Sequence, residues 1–250
     1  MRNYALEFIK DEDLFNHVKK TVLGYSFEIN LSSFNSNLID PIKLTFDSIV
    51  YGQGIEQTIE NEVLRQLDKS NSNLIGYFHQ NIFNYIGEDW IVPARGYDVE
   101  CPNKKIYVEM KNKHNTMNSS SGAKTFMRML NTLVHDSEST CLLVEVIAVR
   151  SQNIPWVITL DGQRQEANHN IRRVSIDKFY EIVTGDKLAF KKLCSVIPKV
   201  IEDVVNEIKL VEKKNTVFRE LNEISNNTLK SLYLLAFTKY EGFNDFNIQE

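Results

Sequence analysis

Two acidic residues and a lysine occur at a spacing that suits hydrolysis of a phosphodiester. Asp98 lies before the turn-forming sequence Cys101-Pro102-Asn103-Lys104, and Glu109 and Lys111 follow it, which gives the pattern Asp-x10-Glu-x-Lys. The segment is expected to form a hairpin of two strands. Because side chains alternate between the two faces of a strand, all three residues would then lie on one face. Two carboxylates there can hold one divalent cation, and the ammonium can stabilise charge on an attacked phosphate.

The turn of this hairpin decides how closely the two acids approach each other. If Pro102 and Asn103 form a two-residue turn, pairing outward sets Asp98 opposite Tyr107 and leaves Glu109 diagonal to Asp98. Diagonal side chains can still converge on one ion. The alternative interpretation is a hairpin whose charged residues face solvent, since acids and lysines alternate on many half-solvated strands.

A local excess of positive charge surrounds the hairpin. Residues 104–128 contain six lysines or arginines and one acid, Glu109, although the whole chain has a net charge of −4. Residues 112–121 are polar and rich in hydrogen-bond donors, and the helix predicted after them presents Lys124 and Arg128 four positions apart on one face. Such donors suit phosphates and base edges, whereas the simpler alternative is a solvated helix face.

The hairpin and its surroundings resemble a known family. Residues 96–98 read Gly-Tyr-Asp, residues 109–118 read Glu-Met-Lys-Asn-Lys-His-Asn-Thr-Met-Asn, and segments 39–41, 65–70 and 75–80 extend the similarity upstream. In these segments the chain resembles the type II restriction endonucleases of the Eco47II kind, members of the PD-(D/E)xK nuclease superfamily. The acid-acid-lysine triplet alone is weakly specific, whereas the long string that begins at the lysine is strongly specific.

The resemblance implies a fold, a reaction and partners. It implies an α/β restriction-endonuclease-like core, in which a mixed central sheet is flanked by helices, with helical additions at both ends. It also implies Mg²⁺-dependent cleavage of both strands of duplex DNA at a short GC-framed palindrome of the GGNCC or GGWCC type, with 5′-phosphate ends. A homodimer in the cytoplasm would carry out this reaction, and a cognate DNA methyltransferase would be its functional partner.

Carried over residue by residue, the resemblance makes Asp98 and Glu109 the metal ligands and Lys111 the catalytic lysine. The superfamily often adds a glutamate from a helix. Glu62 is the candidate for that role in this chain, although Glu56 and Glu60 share its helix.

One position departs from the superfamily pattern. Tyr97 stands where the superfamily name has a proline, a substitution that leaves the metal chemistry unaffected. The residues expected to contact DNA are Lys113, His114, Asn115, Asn118, Ser119, Lys124 and Arg128.

The rest of the sequence predicts the elements that position this hairpin. Helices are predicted over residues 11–24, 55–67, 71–86, 123–135 and, with breaks, from 177 to 239, and strands over 90–92, 97–99, 105–110, 141–149, 156–160 and 171–175. Residues 25–50 are expected to be irregular, with Asp40-Pro41 as a turn or helix start. Residues 1–250 are expected to form one endonuclease domain, with a catalytic core over about 55–180 and a helical region over about 181–250.

Other classes of protein lack support in the sequence. No apolar run approaches the roughly 20 residues that span a bilayer, and residues 1–4 lead into no apolar signal core, so we expect a soluble protein that is not exported. The three cysteines have neither CxxC spacing nor a matching histidine pair, so we expect reduced thiols and no zinc site. P-loop and G-x-S-x-G motifs are missing. The remaining alternatives are a repair nickase or junction resolvase on the same scaffold, and a non-catalytic DNA-binding protein.

Overall fold

The computed structural model describes residues 2–25, 28–114, 116–160, 162–208, 214–237, 239, 246 and 248. Its internal contacts divide the chain into two compact units. The first unit contains Met1–Leu23 and Ile75–Ile208, and the second contains Gly24–Leu74 and Lys209–Glu250. The single domain over residues 1–250 stays a prediction.

The described chain contains groups of consecutive helices and groups of short strands. The helices are α1 (Asp11–Gly24), α2 (Leu31–Ser36), α3 (Pro41–Val50), α4 (Ile55–Asn81), α5 (Ser119–His135), α6 (Ile176–Thr184), α7 (Ala189–Ile208), α8 (Val217–Ile224) and α9 (Thr228–Phe237). The strands are β1 (Glu28–Ile29), β2 (Val99–Cys101), β3 (Ile106–Lys113), β4 (Thr140–Ile147), β5 (Asn153–Pro155), β6 (Thr159–Leu160), β7 (Gln163–Arg164), β8 (Ile171–Ser175) and β9 (Lys214–Asn215).

A five-stranded mixed sheet forms the centre of the first unit. Its strand order is β2-β3-β4-β8-β5. The three central strands β3, β4 and β8 are parallel, whereas β2 and β5 pair antiparallel at the two edges. The predicted α/β class, with a mixed central sheet flanked by helices, is confirmed.

Helices pack on both faces of this sheet. On one face, Val108 and Met110 of β3 belong to a core that includes buried residues of α1, α6 and α7. On the other face, Leu143 of β4 packs with Phe126 and Met129 of α5. The parallel order of the central strands requires both faces to be covered, and the alternating burial along β3 follows from this layering.

The second unit has a separate small core. Its buried residues come from α2, α3, α4, α8 and α9 and from β1, which pairs parallel with β9. Phe34, Val217, Leu221 and Leu232 are fully buried in it.

The helices of the first eighty residues differ from the sequence prediction. Residues 25–50 are not irregular, because Asn30 caps α2 and Asp40 caps α3 with its side chain on the Lys43 amide. The predicted helix start at Asp40-Pro41 is therefore correct. The break predicted between the helices over 55–67 and 71–86 is wrong: α4 runs through residues 68–70, since no proline interrupts the turn-to-turn hydrogen bonding.

Some predicted strands are shorter or displaced. The predicted strand over 90–92 is reduced to one bridge between Ile91 and Glu100, because the Val92 amide donates instead to the Asn84 side chain, 3.0 Å away. The predicted strand over 156–160 is represented by β5 and β6 on either side of Trp156.

Two observations bear on the protein classes considered above. In the part of the chain that the structure describes, no helix combines the length and apolar character needed to span a bilayer. Cys101, Cys141 and Cys194 are all free thiols, and the first two are buried.

Two neighbouring histidines are held neutral in the first unit. His17 stacks on the Phe78 ring, with centroids 4.7 Å apart, and its Nε2 lies 2.9 Å from the Phe78 carbonyl oxygen. Burial lowers the pKa of His17. Burial, together with the nearby charge of His17 when protonated, lowers the pKa of His79 to about 4.

These histidines predict a loss of stability in mild acid. An unfolded histidine binds its proton near pH 6.5, whereas folded His79 does so only near pH 4, so the unfolded state binds more protons between these values. We expect the free energy of unfolding, measured by urea titration, to fall by about 2 kcal/mol through His79 alone between pH 7.5 and pH 4.5. The His79→Gln variant should lose less, whereas the exposed control His135→Gln should behave like the wild type. Equal acid sensitivity of all three proteins would contradict this.

Candidate active site

The hairpin of β2 and β3 brings the two predicted metal ligands close together. Cys101 pairs with Ile106 and Val99 with Val108, and the paired part of β2 ends at Val99. The Asp98 amide donates to the Val108 carbonyl at 2.9 Å, so Asp98 lies at the end of this ladder, where the charge of Glu109 acts on it. The predicted pairing of Asp98 with Tyr107 is therefore wrong.

The error comes from the turn. The chain reverses through a short 3₁₀ turn over Pro102–Lys104, followed by Lys105 in the left-handed conformation with φ 52°, so four residues form the loop instead of two. The register moves by two positions. A shift of two keeps the paired side chains on the faces predicted for them, and Asp98 stays close enough to Glu109 and Lys111 for their charges to act on it.

Asp98 is held in place by the strand that carries the other two residues. Its Oδ2 accepts a hydrogen bond from the Met110 amide at 2.7 Å. Burial raises the pKa of Asp98. The Met110 amide lowers it, the charge of Glu109 raises it, and Lys111 and Arg128 lower it, and the net shift is upward. Lys111 and Arg128 therefore offset part of the cost of burying this carboxylate.

Glu109 has a cation on each of its oxygens. The Lys111 Nζ lies 2.7 Å from Oε1, and the Arg128 Nη2 contacts Oε2. The Glu109 side chain is only 12% exposed. Glu109 is thus the centre of a compact charge cluster formed with Asp98, Lys111 and Arg128.

Arg128 is fixed on this cluster by three further features. Its guanidinium lies over the Tyr97 ring, 4.4 Å from the centroid, and its Nη1 donates to the Gly96 carbonyl at 3.3 Å. Gly96 has φ 107°, a conformation that side chains rarely adopt, and this turns its carbonyl toward the arginine. The Tyr97 hydroxyl lies 2.8 Å from Thr132 Oγ1. Tyr97 therefore supports Arg128 from the position where the superfamily has a proline.

A second cluster lies beside Lys111 on the same face of the sheet. Glu145 of β4 pairs in register with Lys111 and is buried, with 1% of its side chain exposed. His114 Nδ1 lies 3.0 Å from Glu145 Oε2, and Arg173 of β8 donates to Glu145 Oε1 through Nε at 2.9 Å and through Nη2. Arg173 also donates to the His114 carbonyl at 3.3 Å.

Sequence reasoning did not assign Glu145 and Arg173 to this region. The available signal was Glu145 itself, the acid that interrupts the apolar run of residues 141–149. A charge in a buried strand needs a partner. Here the partners tie the segment after β3, which begins with His114, to the two neighbouring strands.

The remaining predicted DNA contacts lie at the end of β3 and in the first turns of α5. Asn115 lies outside the described residues. The Asn118 side chain caps α5 by accepting from the Ser121 amide at 2.8 Å. Lys113, Ser119 and Lys124 are exposed. The helix begins at Ser119, four residues earlier than predicted, because of this cap.

Glu62 belongs to the second unit and has partners on its own helix. Arg65 donates to both of its oxygens at 2.6 Å, and Gln66 donates at 3.0 Å. Burial raises the pKa of Glu62, but these hydrogen bonds outweigh burial, so its pKa is lowered. Glu56 and Glu60 are exposed on the same helix. The role of Glu62 near the metal stays a prediction.

The donor set of the hairpin fits a magnesium ion. Mg²⁺ is usually held by one or two carboxylates, with water and substrate phosphate completing its shell, and Asp98 and Glu109 supply two neighbouring carboxylates. Among the residues that the structure describes, no three His, Cys, Asp or Glu side chains form a group that could hold a metal ion.

A mixed sheet between helices, with an acid beside a strand that carries an acid-x-lysine sequence, defines a protein with a restriction-endonuclease-like fold. The comparisons with known proteins agree. The chain belongs to the Eco47II restriction endonuclease family, whose model matches residues 6–206. The class predicted from the sequence, type II site-specific deoxyribonuclease, is confirmed.

Two named relatives are similar along most of their length. The type II restriction enzyme Sau96I of Staphylococcus aureus is 30% identical over 234 residues, which cover 88% of this chain and 89% of the relative. The type II restriction enzyme Eco47II of Escherichia coli is 31% identical over 215 residues, which cover 81% of this chain and 89% of the relative.

Proposed function

We propose that this enzyme uses Mg²⁺ to cleave both strands of duplex DNA at a short GC-framed palindrome of the GGNCC or GGWCC type, leaving 5′-phosphate ends. The observation that carries the proposal is the neighbouring pair Asp98 and Glu109, with the Lys111 Nζ 2.7 Å from Glu109 Oε1 and its charge acting on Asp98. The family membership supports the reaction, and the resemblance supports the type of site.

Asp98 and Glu109 would hold the cation at this site. When bound, Mg²⁺ supplies activation of water and neutralisation of charge on the scissile phosphate. The Met110 amide orients Asp98 by donating a hydrogen bond to it. Met110 lies between Glu109 and Lys111, so the backbone of that strand holds Asp98 beside both residues. Lys111 donates toward the charge that develops on the phosphate in the transition state.

The residues around the hairpin would place the DNA on this site. Lys113 and Lys124 are exposed cations, and Ser119 stands at the first turn of α5, where helix amides attract phosphate. His114 and Asn118 stand at the two ends of the polar segment that connects β3 to α5 and would contribute contacts with Asn115. Glu62 would tune the metal site from its helix.

The enzyme would act as a homodimer, because each described chain supplies one set of Asp98, Glu109 and Lys111 for two DNA strands. It would work in the cytoplasm, and a cognate methyltransferase would protect host DNA at the same site.

Digestion of a mapped plasmid with Mg²⁺, followed by sequencing of the ends, tests this proposal. We expect linear products with 5′-phosphates at one palindromic sequence. Accumulation of nicked circles would favour the nickase or resolvase alternative. Binding without any cleavage would favour the non-catalytic DNA-binding protein.

The position of Arg128 changes the role that we propose for it. The sequence indicated a contact with phosphate or guanine, but the guanidinium binds Glu109 and stacks on Tyr97. We propose that Arg128 positions Glu109 and balances its charge against that of Asp98. Any cation that binds these carboxylates must share Glu109 with the arginine.

Thermal melting without DNA tests this role of Arg128. The Arg128→Gln variant should melt below the wild type in EDTA, because Glu109 and Asp98 lose a shared counter-charge. Its gain in melting temperature on adding Mg²⁺ should be about twofold larger than that of the wild type. The control Lys178→Gln, which frees the partly exposed Glu181, should gain no more than the wild type. If Mg²⁺ raised the melting temperature of Arg128→Gln by no more than that of the wild type, the positioning role would be wrong and the predicted DNA contact of Arg128 would stand.

A further inference from the structure

Large apolar side chains lie exposed along and beside α3. The structure describes nineteen exposed large hydrophobic residues, and six of them fall within residues 38–51. We call these six the apolar stripe: Leu38 (86% exposed), Ile42 (50%), Phe46 (66%), Ile49 (74%), Val50 (69%) and Tyr51 (70%).

The stripe has a regular geometry. Ile42, Phe46 and Ile49 with Val50 follow at four and then three or four positions, so they occupy one face of the helix. The opposite face points into the core of the second unit through Pro41 and Leu44. A helix that has already buried one apolar face has no need of a second one, unless that face has a partner.

The residue that leads into the helix supports the same conclusion. Leu38 has φ 52°, a left-handed conformation that is costly for a leucine, and it is also the most exposed member of the stripe. A hydrogen bond from the Leu38 amide to the Asn35 carbonyl, 2.9 Å long, holds its backbone in this conformation. The strained conformation therefore presents a large apolar side chain outward, which points to a contact outside this chain.

We infer that the apolar stripe is the surface on which a second copy of this chain docks. The inference rests on the proposed function, which needs two sets of catalytic residues for two strands. A two-fold dimer uses the same patch on both copies, and helices with rows of side chains four positions apart pack on each other. DNA fits the stripe poorly, because it contains no cation and the adjacent Lys43 is paired with Asp47.

The size of the stripe also suits a stable dimer. Six large apolar side chains, each at least half exposed, supply on the order of 100 Å² each. A standard interface buries roughly 800 Å² per partner, so the stripe provides most of that area from one side. Its apolar composition resembles the core of a permanent interface.

Sedimentation equilibrium of the full chain without DNA tests the inference. The wild type should be a dimer at micromolar concentration, and Phe46→Glu and Ile42→Glu should each weaken the dimer by at least about a hundredfold. The control Val134→Glu places the same charge on an apolar residue of α5 that is 82% exposed, and it should dimerise like the wild type. Circular dichroism should show native folding of all variants, because these side chains are already exposed.

The outcomes separate the inference from the proposed function. A dimer that both stripe variants leave intact would overturn the stripe as the interface and leave the homodimer standing. A wild type that is monomeric over the whole concentration range would overturn both the stripe as the interface and the proposed homodimer. This holds whatever other surface or protein the stripe then binds. Selective loss of the dimer in the two stripe variants would establish the inference.

Discussion

Replacing Lys111 by glutamine should reduce the rate of DNA cleavage by roughly a hundred- to a thousandfold. The Lys111 ammonium lies 2.7 Å from Glu109 Oε1 and its charge acts on Asp98, so it can reach charge that develops beside both acids. Glutamine keeps most of the side-chain length but carries no charge. Because this contribution arises mainly in the transition state, affinity for the target duplex should change by less than about threefold.

Two measurements are needed for this prediction. Single-turnover cleavage in Mg²⁺ gives the rate of the chemical step, and titration of target DNA in Ca²⁺ gives the affinity without cleavage. Lys113→Gln is the matched control, because Lys113 lies two residues further along the same strand and is exposed. It should weaken binding and reduce the salt dependence, with a nearly normal rate when DNA is saturating. A Lys111→Gln enzyme that cuts at the wild-type rate would exclude lysine from the chemistry.

Asp98→Asn and Glu109→Gln should each abolish measurable cleavage, and EDTA should do the same to the wild type. Mg²⁺ or Mn²⁺ should restore the wild-type enzyme, since both ions prefer oxygen ligands. Neither variant should unfold, because the asparagine can still accept from the Met110 amide, and because Lys111 and Arg128, which lose their anion in Glu109→Gln, are themselves partly exposed to water. Their thermal melting in EDTA should lie within a few degrees of the wild type.

DNA binding without metal provides an independent readout for these variants. Glu109→Gln leaves Lys111 and Arg128 without their shared anion, so its affinity for duplex DNA in EDTA should equal or exceed that of the wild type. The wild type should gain more affinity on adding Ca²⁺ than either variant. Robust cleavage by the wild type in excess chelator, or by either variant in Mg²⁺, would refute the metal-ligand assignment.

The hairpin could be predicted from the sequence because strand alternation is insensitive to small errors. The turn prediction was wrong by two residues, yet Glu109 and Lys111 share a face of β3 and their charges still act on Asp98. The apolar run from Cys141 likewise predicted a strand, and the structure shows it as β4, buried along most of its length. The local pattern of side chains is therefore sufficient to predict a strand where its alternation, or its continuous apolar run, is clear.

The partners of these residues could not be predicted, because they come together only through the fold. Arg128 is thirty-one residues from Tyr97 on the chain, and its contact with Glu109 depends on how α5 packs against the sheet. The same holds for Glu145, Arg173 and His114, which are contributed by β4, β8 and the segment after β3. The spacing of these three residues in the sequence does not indicate that they contact each other.

The anchoring of Asp98 by the Met110 amide has a consequence for how substitutions act. The three groups that we propose to react, and the hydrogen bond that aligns Asp98, are contained in fourteen consecutive residues, 98–111, so the proposed chemistry depends on one short continuous segment. Lys124 and the other expected DNA contacts lie outside that segment. Substitutions in the following loop and helix can therefore alter the contacts with DNA while these three groups and their alignment stay unchanged.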